Sequence, residues 1–523
     1  MLFQFDRWVN KRVALASILV IHIALSLICA HFRSLNLDEK TYFEYTVRCL
    51  KGHPERVRIL DDSKTILVFP ALIPRMISQI FHPGLTKNDG GIADILHGRY
   101  TILVYSVLLL LFLWLSLKKL DLPYAMLVFP LAAINPMIVN YATFINSDMA
   151  VGLFTLLLFY YGWQFFSTKK TRYLVYLSIV CGLGFVCKFS FIPVLMAFFI
   201  GGVFLFFTSF RSRSSLLFGI RSLAVVFVIS VLVINLCYPT DKRFVSLRNM
   251  ELKSEKFKAL SQSFVGAFPL PVPQNMVQAA DQLSYHSQPN LPIGDITFEG
   301  RVWLLGGLHT TPLWFYYWVL LGIKTPIFLL LLMIIGAAAA IFSYRKYPFI
   351  FLATVVALFY CAYSGYINFF QIGDRHLLAI YPLLFVVAGF AMYKLSEWLS
   401  IRQVVAFYCM GFIWLLISEG YYFPHFMPYT NEFITDKKTA HWTANVGVTD
   451  YCQSVDFAED FIKNNPGYKK PFGDTSHNGK YAICVFRLFY DAYFGKDPKS
   501  LELWNRRPTR IERFVVLIFD EDK

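Results

Sequence analysis

Long hydrophobic runs alternate with short polar connections along most of this chain. The runs are about 17 to 23 residues long, the length at which an α-helix crosses roughly 30 Å of hydrocarbon. Their spacing predicts about eleven transmembrane helices and therefore an α-helical polytopic membrane protein. The predicted spans are 13–30, 99–117, 122–140, 149–166, 173–187, 191–208, 216–237, 326–343, 349–364, 377–393 and 403–421.

Composition supports this interpretation and bears on the first run. Residues are 56% hydrophobic and 18% aromatic, only 16% are charged, and the mean hydropathy is +0.50. No ordinary soluble domain needs this much apolar surface.

The first run could be a signal peptide, because it follows a basic flank and ends in Ile28-Cys29-Ala30. Its length of about 18 residues exceeds a typical signal-peptide core, so we favour a retained anchor.

The placement of basic residues predicts the orientation. The chain has 49 basic and 34 acidic residues, a net charge of +15. Short cytoplasmic connections carry an excess of Lys and Arg, which places the N-terminus in the cytoplasm. The basic residues that mark every second connection are Arg7, Lys11, Arg12, Lys118, Lys119, Lys169, Lys170, Arg172, Arg211, Arg213, Arg221, Arg345, Lys346, Lys394 and Arg402. Nucleic acid is not needed to explain the basicity.

Four regions follow from this topology. A membrane domain, 1–421, includes two long outer segments, 31–98 and 238–325, and the polar tail, 422–523, also lies outside. The first outer segment predicts short helices broken by prolines, and the second ends in an aromatic stretch that suits an interfacial helix. The sequence shows no Asn-x-Ser/Thr site. We therefore favour a bacterial inner membrane, with the endoplasmic reticulum membrane as the alternative.

The tail has the pattern of a small extracytoplasmic α/β domain. Residues 454–464 have amphipathic helical spacing, and 481–490 and 513–519 have the composition of strands. The nine cysteines of the chain include no CxxC pair. Cys452 and Cys484 share the tail and could form a disulfide in an oxidising compartment, although two free thiols fit equally well.

Seven ionisable residues at the ends of predicted spans all fall on the outer side. A carboxylate at a water–lipid boundary could accept the proton of an attacking hydroxyl, a contribution of roughly 10²–10⁴-fold. Basic side chains beside it could hold a phosphate, arginine through a bidentate fork. The seven residues are Asp38, Glu39, Asp148, Lys188, Lys324, Arg375 and His376.

Each of these residues also has a structural interpretation. Adjacent carboxylates point about 100° apart on a helix, so only one of Asp38 and Glu39 would act while the other orients it. Both could instead cap a helix, and Asp148 could complement a helix dipole. Lys188 could reach out of the membrane at a turn, and His376 could be a packed polar residue.

Five motifs occur in a recognisable order along the chain. They resemble the polyprenyl-phosphate-sugar-dependent glycosyltransferases of the GT-C membrane fold, in the branch of the protein O-mannosyltransferases and the aminoarabinose lipid A transferases. Two departures from the family pattern occur. The last of the five motifs, 373–382, usually has proline at the position of Ala379. Residues 449–453 are only loosely similar to a motif in the tail of some bacterial relatives. The motifs are Leu37-Asp38-Glu39, Asn146-Ser147-Asp148-Met149, Gly182-Leu183-Gly184-Phe185-Val186-Cys187-Lys188-Phe189, Trp314-Phe315-Tyr316-Tyr317 with Lys324-Thr325-Pro326, and Gly373-Asp374-Arg375-His376-Leu377-Leu378 with Tyr381-Pro382.

The resemblance implies an inverting transferase that moves a sugar from a polyprenyl-phosphate donor to an acceptor hydroxyl at the outer face. It implies Asp38 as general base, Glu39 as its orienter, Asp148 as a second acid, and Lys188 and Arg375 as ligands of the departing phosphate. Lys324 and His376 complete the predicted substrate-binding set. No metal ligand is assigned, and a divalent cation is left open. The acceptor could be a lipid, a glycan or a protein.

Three alternatives remain at the level of sequence. A ligase or polymerase of lipid-linked oligosaccharides also works outside the membrane with a large loop. A transporter or flippase would place ionisable groups near the bilayer midplane and is often built from repeats, and this chain shows no evident repeat. A non-catalytic scaffold would present the tail to partners.

Overall fold

A computed structural model describes residues 2–56, 61–81, 91–209, 213–286, 302–367, 371–444, 448–450, 454–474 and 479–520. Six helices within these residues are long and apolar enough to cross a membrane by length and composition, and five further apolar helices are shorter. The multi-pass helical fold is therefore confirmed, while the number of spans and their orientation stay predictions. The helices of the membrane domain are Leu2–Val9, Arg12–His31, Leu37–Leu50, Ile73–Phe81, Ile92–Ile102, Val104–Leu120, Val128–Ile134, Pro136–Tyr141, Asp148–Thr168, Thr171–Cys187, Phe191–Ser209, Arg213–Cys237, Ile327–Phe342, Pro348–Ile367, Tyr381–Trp398 and Ile401–Tyr422.

The predicted span 122–140 is wrong as a continuous helix. It consists of a 3₁₀ turn, Ala125–Leu127, followed by two short helices that meet at Asn135. The Asn135 side chain accepts hydrogen bonds from the backbone N–H groups of Met137 (3.1 Å) and Ile138 (3.4 Å), and Pro136 is the first residue of the second helix. A residue before proline avoids the α conformation, and an asparagine cap favours a new start, so the helix breaks here.

Close packing of two elements sets the position of the candidate site. The helix Asp148–Thr168 lies against a 3₁₀ helix, Asp374–Ala379, that precedes the span Tyr381–Trp398. A Cβ atom at Gly152 would lie 2.6 Å from the carbonyl oxygen of Leu378, so only glycine permits this approach. This packing brings the first turn of the helix Asp148–Thr168 close to the polar residues that begin the 3₁₀ helix Asp374–Ala379.

The second outer segment differs in detail from its prediction. The aromatic stretch divides into a β-hairpin, in which Val302 pairs with His309, and a helix that begins only at Tyr316. A helix that the sequence pattern did not predict, Gln274–His286, packs beside the first outer segment. The remaining elements outside the membrane domain helices are Ile66–Leu72, Val245–Ser246, Leu247–Asn249, Glu255–Gln262, Val265–Ala267, Pro269–Leu270, Val302–Leu304, Gly307–His309, Tyr316–Lys324 and Lys437–Thr439.

The tail contains a four-stranded sheet covered by helices. Strand Lys480–Cys484 runs parallel to Tyr468–Lys469 and antiparallel to Val516–Phe519, which also pairs with Arg510–Glu512. The predicted strand 481–490 is only half correct, because its second part belongs to a helix. The apolar residues of that part recur with helical spacing and pack against Trp504, which the prediction overlooked. The helices of the tail are Ala440–Thr443, Val455–Asn464, Val485–Tyr493 and Pro498–Asn505. Cys452 lies outside the described residues, so its pairing with Cys484 stays a prediction.

Candidate active site

The helix that carries the acidic pair begins with a capping box. The Asn36 side chain accepts a hydrogen bond from the backbone N–H of Asp38 at 2.8 Å, and Glu39 Oε2 accepts one from the backbone N–H of Asn36 at 2.9 Å. Such reciprocal bonds satisfy N–H groups that a helix start otherwise leaves unpaired. The local sequence therefore fixes where Asp38 and Glu39 leave the backbone, and it directs them to different neighbours.

Asp38 lies between two cations from distant parts of the chain. Its Oδ1 is 3.0 Å from Lys64 Nζ, and its Oδ2 is 2.6 Å from a terminal nitrogen of Arg375. The residue is only 8% exposed. Burial alone would raise the pKa of this carboxyl, but Lys64 and Arg375 outweigh burial and hold the pKa well below its ordinary value. Asp38 is therefore an ionised, strongly paired carboxylate in this structure.

Glu39 faces the interior and is paired independently of Asp38. Arg99 donates to both of its carboxylate oxygens, at 2.9 and 2.5 Å, and a nitrogen of Arg33 lies 3.9 Å away. The backbone N–H of Ile145 also donates to Glu39, at 3.4 Å. Arg99 outweighs burial and lowers the pKa of Glu39. These contacts tie the start of the helix Leu37–Leu50 to the helix Ile92–Ile102 and to the segment before Asp148.

Asp148 and Lys188 form a second ion pair. Lys188 Nζ contacts Asp148 Oδ1 closely, at the point where the helix Thr171–Cys187 ends. Asp148 is the first residue of its own helix and is 3% exposed. Its other oxygen, Oδ2, is buried and has no hydrogen-bond partner within the described residues. A buried carboxylate oxygen without a donor is costly, so this atom invites a polar ligand.

Two side chains show that the two ion pairs share one electrostatic environment. The Tyr42 hydroxyl lies 3.2 Å from Ser147 Oγ, and burial together with Asp148 and Asp38 raises the pKa of Tyr42. Burial together with Lys188 and Arg375 lowers the pKa of His376 well below its ordinary value. We call Asp38, Lys64, Arg375, Asp148 and Lys188 the outer charge cluster.

Lys324 lies beside this cluster in a fully paired position. Its ammonium donates to the carbonyl oxygens of Met427 (2.7 Å) and Val448 (2.6 Å), and it lies 3.3 Å from Asp374 Oδ2. Asp374 also accepts from the Tyr141 hydroxyl at 2.9 Å. An ammonium has three N–H donors, so Lys324 uses two of them to hold the segment after the last span and one to pair with Asp374. Its role in binding substrate stays a prediction.

Sequence reasoning missed several residues that complete the arrangement. Lys64 follows two aspartates in a polar loop with no motif around it, so nothing in the pattern linked it to Asp38. Arg99 was detectable, because it is the first residue of the predicted span 99–117 and a charge inside an apolar span is unusual. A further pair, Asp62 and His286, is joined at 3.0 Å between Oδ2 and Nδ1 and connects the two outer segments.

The residues at this site do not fit a protein-only metal centre. No group of three or more His, Cys, Asp or Glu side chains within the described part of the chain is placed to hold a metal ion. Asp38 and Asp148 face basic nitrogens, and only Asp148 Oδ2 lacks a donor. We therefore derive no step through a metal, and the divalent cation left open by the sequence stays untested.

Comparison with known proteins agrees with the motifs. Residues 94–238 match the family model described as dolichyl-phosphate-mannose-protein mannosyltransferase, a region that contains both Asp148 and Lys188. The resemblance to GT-C membrane glycosyltransferases is thereby confirmed. The chain is also similar to the apo crystal structure of the Archaeoglobus fulgidus oligosaccharyltransferase, at 14% identity and a TM-score of 0.46, over 87% of this chain and 59% of that one. This chain thus spans about 59% of the length of that enzyme. No curated protein sequence matches the chain.

The pairing of Glu39 predicts a structural cost for its neutralisation. Glu39→Gln would leave the buried guanidinium groups of Arg99 and Arg33 without their carboxylate, a change that costs about 3–5 kcal/mol. We expect a markedly lower unfolding temperature for the purified variant. Glu55→Gln, at a carboxylate whose side chain is 65% exposed, is the matched control and should unfold like the wild type. Equal stability of the two variants would contradict the assignment.

Proposed function

We propose that the protein is a GT-C-type glycosyltransferase that moves a sugar from a polyprenyl-phosphate donor to an acceptor hydroxyl at the outer membrane face. The observation that carries the proposal is the position of Asp38, a carboxylate held between Lys64 and Arg375 at a helix start. This arrangement brings together a carboxylate that could accept a proton and two cationic side chains that could turn towards a phosphate. The family match over 94–238 supports a lipid-linked sugar as the donor class.

The charge balance of the cluster favours a phosphate. Lys64, Lys188 and Arg375 supply three positive charges, while Asp38 and Asp148 supply two negative charges. A departing polyprenyl phosphate gains negative charge as the sugar leaves, and cations fixed in advance around it lower the barrier. Arginine is suited to this contact because its planar fork matches two phosphate oxygens.

Donor binding would also turn Asp38 into a better base. A carboxylate held by two cations has a low pKa and accepts a proton poorly. When Lys64 and Arg375 turn towards the phosphate, Asp38 loses these partners and its pKa rises towards the ordinary value. The free enzyme therefore neutralises its own cations with Asp38, and the donor releases that carboxylate for catalysis.

The reaction would then proceed as a direct displacement. The acceptor O–H gives its proton to Asp38 as its oxygen bonds to the anomeric carbon of the sugar. The bond between that carbon and the phosphate oxygen breaks, and its electron pair leaves with polyprenyl phosphate. Attack from the side opposite the leaving group inverts the anomeric centre.

The other predicted residues have supporting roles in this proposal. Asp148 holds Lys188, and its unpartnered Oδ2 can accept a hydrogen bond from a hydroxyl of the donor sugar. His376 is neutral because its pKa is low, so it would contact substrate as an uncharged ring beside Tyr317. Glu39 would orient the helix that carries Asp38 by anchoring its first turn to Arg99.

We place the enzyme in a bacterial inner membrane with the tail outside.

The function is tested by following label from a radiolabelled polyprenyl-phosphate sugar in proteoliposomes that contain the purified protein. We expect sugar to move to an acceptor glycan, lipid or peptide and polyprenyl phosphate to be released, with the new bond in the opposite anomeric configuration by NMR. Label that crosses the bilayer while still attached to the polyprenyl phosphate would instead show a flippase and contradict the proposal.

Replacement of Asp38 by Asn should abolish transfer in protein that remains folded, with some loss of stability because Lys64 and Arg375 lose their carboxylate. The amide keeps the shape but cannot accept the proton, so we expect a loss of at least about 10²-fold in kcat. Asp94→Asn, in the same outer segment but paired with Arg75, is the matched control and should keep the wild-type rate. A wild-type rate for D38N, with the protein fully folded, would rule out this base.

Removal of Lys64 should shift the acidic limb of the pH–rate profile. Lys64 lowers the pKa of Asp38, so in Lys64→Met the carboxyl protonates at a higher pH than in the wild type. As the pH is lowered, kcat/KM of K64M, which reports the free enzyme, should therefore begin to fall at a higher pH than that of the wild type, and KM for the donor should rise. Lys40→Met removes an exposed lysine from the helix that carries Asp38 and should leave both quantities unchanged. An acidic limb that does not move, or moves to lower pH, would contradict the role of Lys64.

A further inference from the structure

A small lobe of the second outer segment lies outside the candidate active site and has no role in the proposed reaction. We call residues 244–270 the aromatic lobe. A short β ribbon closes it, in which Val245 pairs with Leu270. Between the two strands the chain forms the helix Glu255–Gln262 and two 3₁₀ turns. A unit of this size can bury few of its own side chains.

Three phenylalanines of the aromatic lobe are exposed. Phe264 is 78% exposed, and Phe244 and Phe268 are each more than half exposed. The rings of Phe264 and Phe268 contact edge to face, with 4.9 Å between their centres. Val265 and Leu260 of the same lobe are exposed as well. So many large apolar side chains on one small unit mark a surface that a second apolar surface covers.

The backbone of the aromatic lobe fixes these rings in exposed positions. Phe244 has a left-handed backbone angle, φ 56°, which a bulky residue adopts only under strain. A Cβ atom at Gly266 would overlap the carbonyl oxygen of Ser261, so only glycine lets this turn fold back onto the helix. Phe264 lies in the same turn, two residues before the glycine. The exposure of the phenylalanines is therefore built into the fold of the lobe.

The base of the aromatic lobe is fastened to the end of the apolar helix before it. The Arg243 guanidinium donates to the side-chain oxygen of Asn235 at 2.9 Å and to the carbonyl oxygens of Asn235 and Tyr238, both at 3.1 Å. The Asn235 amide nitrogen donates to the carbonyl oxygen of Pro271 at 2.9 Å. Arg243 thus occupies carbonyl groups that a helix end leaves unpaired. Both ends of the lobe therefore lie beside the last turn of that helix.

That helix, Arg213–Cys237, presents an apolar surface to its surroundings up to its last turn. Few side chains of the part Leu217–Cys237 are buried, and this part is long and apolar enough to cross a membrane. Leu232 is exposed, and Leu236, in the last turn, is 76% exposed. In a multi-pass membrane protein, exposed apolar side chains on a spanning helix face lipid. Because the aromatic lobe is fastened to this last turn, it lies where the hydrocarbon meets the headgroups.

The charges of the aromatic lobe suit the same location. The lobe has four basic and two acidic residues. Arg248 donates to the carbonyl oxygens of Ser261 and Ser263, both at 3.2 Å, next to Phe264 in the chain. Arg248 and Lys256 are both exposed. Aromatic rings among basic side chains are typical of segments at a bilayer surface, where the rings enter the leaflet and the cations stay at the headgroups.

The aromatic lobe is also joined to the loop that carries Lys64. Asn275, in the helix that follows the lobe, accepts hydrogen bonds at its side chain from the Tyr45 hydroxyl at 3.0 Å and from Arg56 Nε at 3.2 Å. Arg56 donates in turn to the carbonyl oxygen of Lys64 at 3.2 Å. All four of these residues are buried. The position of the lobe at the membrane therefore bears on the position of Lys64.

We propose that the aromatic lobe is a membrane anchor, in which Phe244, Phe264 and Phe268 insert into the leaflet at this end of the helix Arg213–Cys237. The apolar surface that covers these rings is lipid, because the lobe continues the lipid-facing surface of the helix to which it is fastened. Arg248 and the other basic side chains of the lobe stay at the headgroups. The anchor fixes the second outer segment relative to the bilayer.

The test is fluorescence quenching of the full-length protein in phosphatidylcholine nanodiscs, with one genetically encoded fluorescent amino acid in place of Phe264. Lipids with a nitroxide on the upper acyl chain quench a probe in the leaflet, and iodide quenches a probe in water. The matched control has the probe in place of Phe472, a phenylalanine of the tail that is 54% exposed. We expect nitroxide quenching to be several-fold stronger, and iodide quenching several-fold weaker, at position 264 than at position 472.

Two results would overturn the proposal. Strong iodide quenching at position 264, with nitroxide quenching no greater than at position 472, would place the rings in water. Weak quenching by both agents would show that protein covers the rings, and nanodiscs with one copy each would then distinguish a second copy of the chain from the chain itself. A probe in place of Phe268 repeats the measurement and should behave like the probe at position 264. The quenching assay does not measure transfer, so its result is independent of the proposed enzymatic activity.

Discussion

The ion pair between Asp38 and Arg375 holds this structure's site together. The two residues are 337 positions apart, and their side chains meet at 2.6 Å. One comes from the start of the first outer helix and the other from the 3₁₀ helix before the span Tyr381–Trp398. Buried charges are tolerated only when they are paired, so this contact requires the first and last parts of the membrane domain to pack together. Lys64 also pairs with Asp38 and so joins the polar loop of the first outer segment to the same contact.

Around this pair the molecule separates a fixed frame from a site that can respond. Glu39 with Arg99, and Lys324 with Asp374, are buried pairs that make further hydrogen bonds to backbone carbonyl groups and to the Tyr141 hydroxyl. They hold the outer segments against the helices. Asp38 and Asp148 belong to the outer charge cluster, where Lys64, Arg375 and Lys188 are the cations that we propose a phosphate binds. The proposed donor therefore exchanges partners within the cluster without disturbing the frame.

The sequence predicted a multi-pass helical fold because an apolar run long enough to cross a membrane has few other structures open to it. It failed at 122–140, where hydropathy alone does not register the helix break at Asn135 and Pro136. Within the site, Asp38, Asp148, Lys188 and Arg375 were found because a charge at the edge of an apolar run is conspicuous. Lys64 was not, because it lies in a polar loop where charges are ordinary, and only the fold brings it to Asp38.

The central claim is that Asp38 occupies the cations that the donor phosphate needs, and the affinity of the Asp38→Asn variant for unlabelled polyprenyl phosphate tests it directly. If the carboxylate competes with the phosphate, its neutralisation frees Lys64 and Arg375. The dissociation constant should then fall by roughly tenfold, a change in binding free energy equal to that of a shift of one pKa unit. If Asp38 instead holds the two cations in position for the phosphate, the variant would bind polyprenyl phosphate more weakly than the wild type. That result would contradict the account.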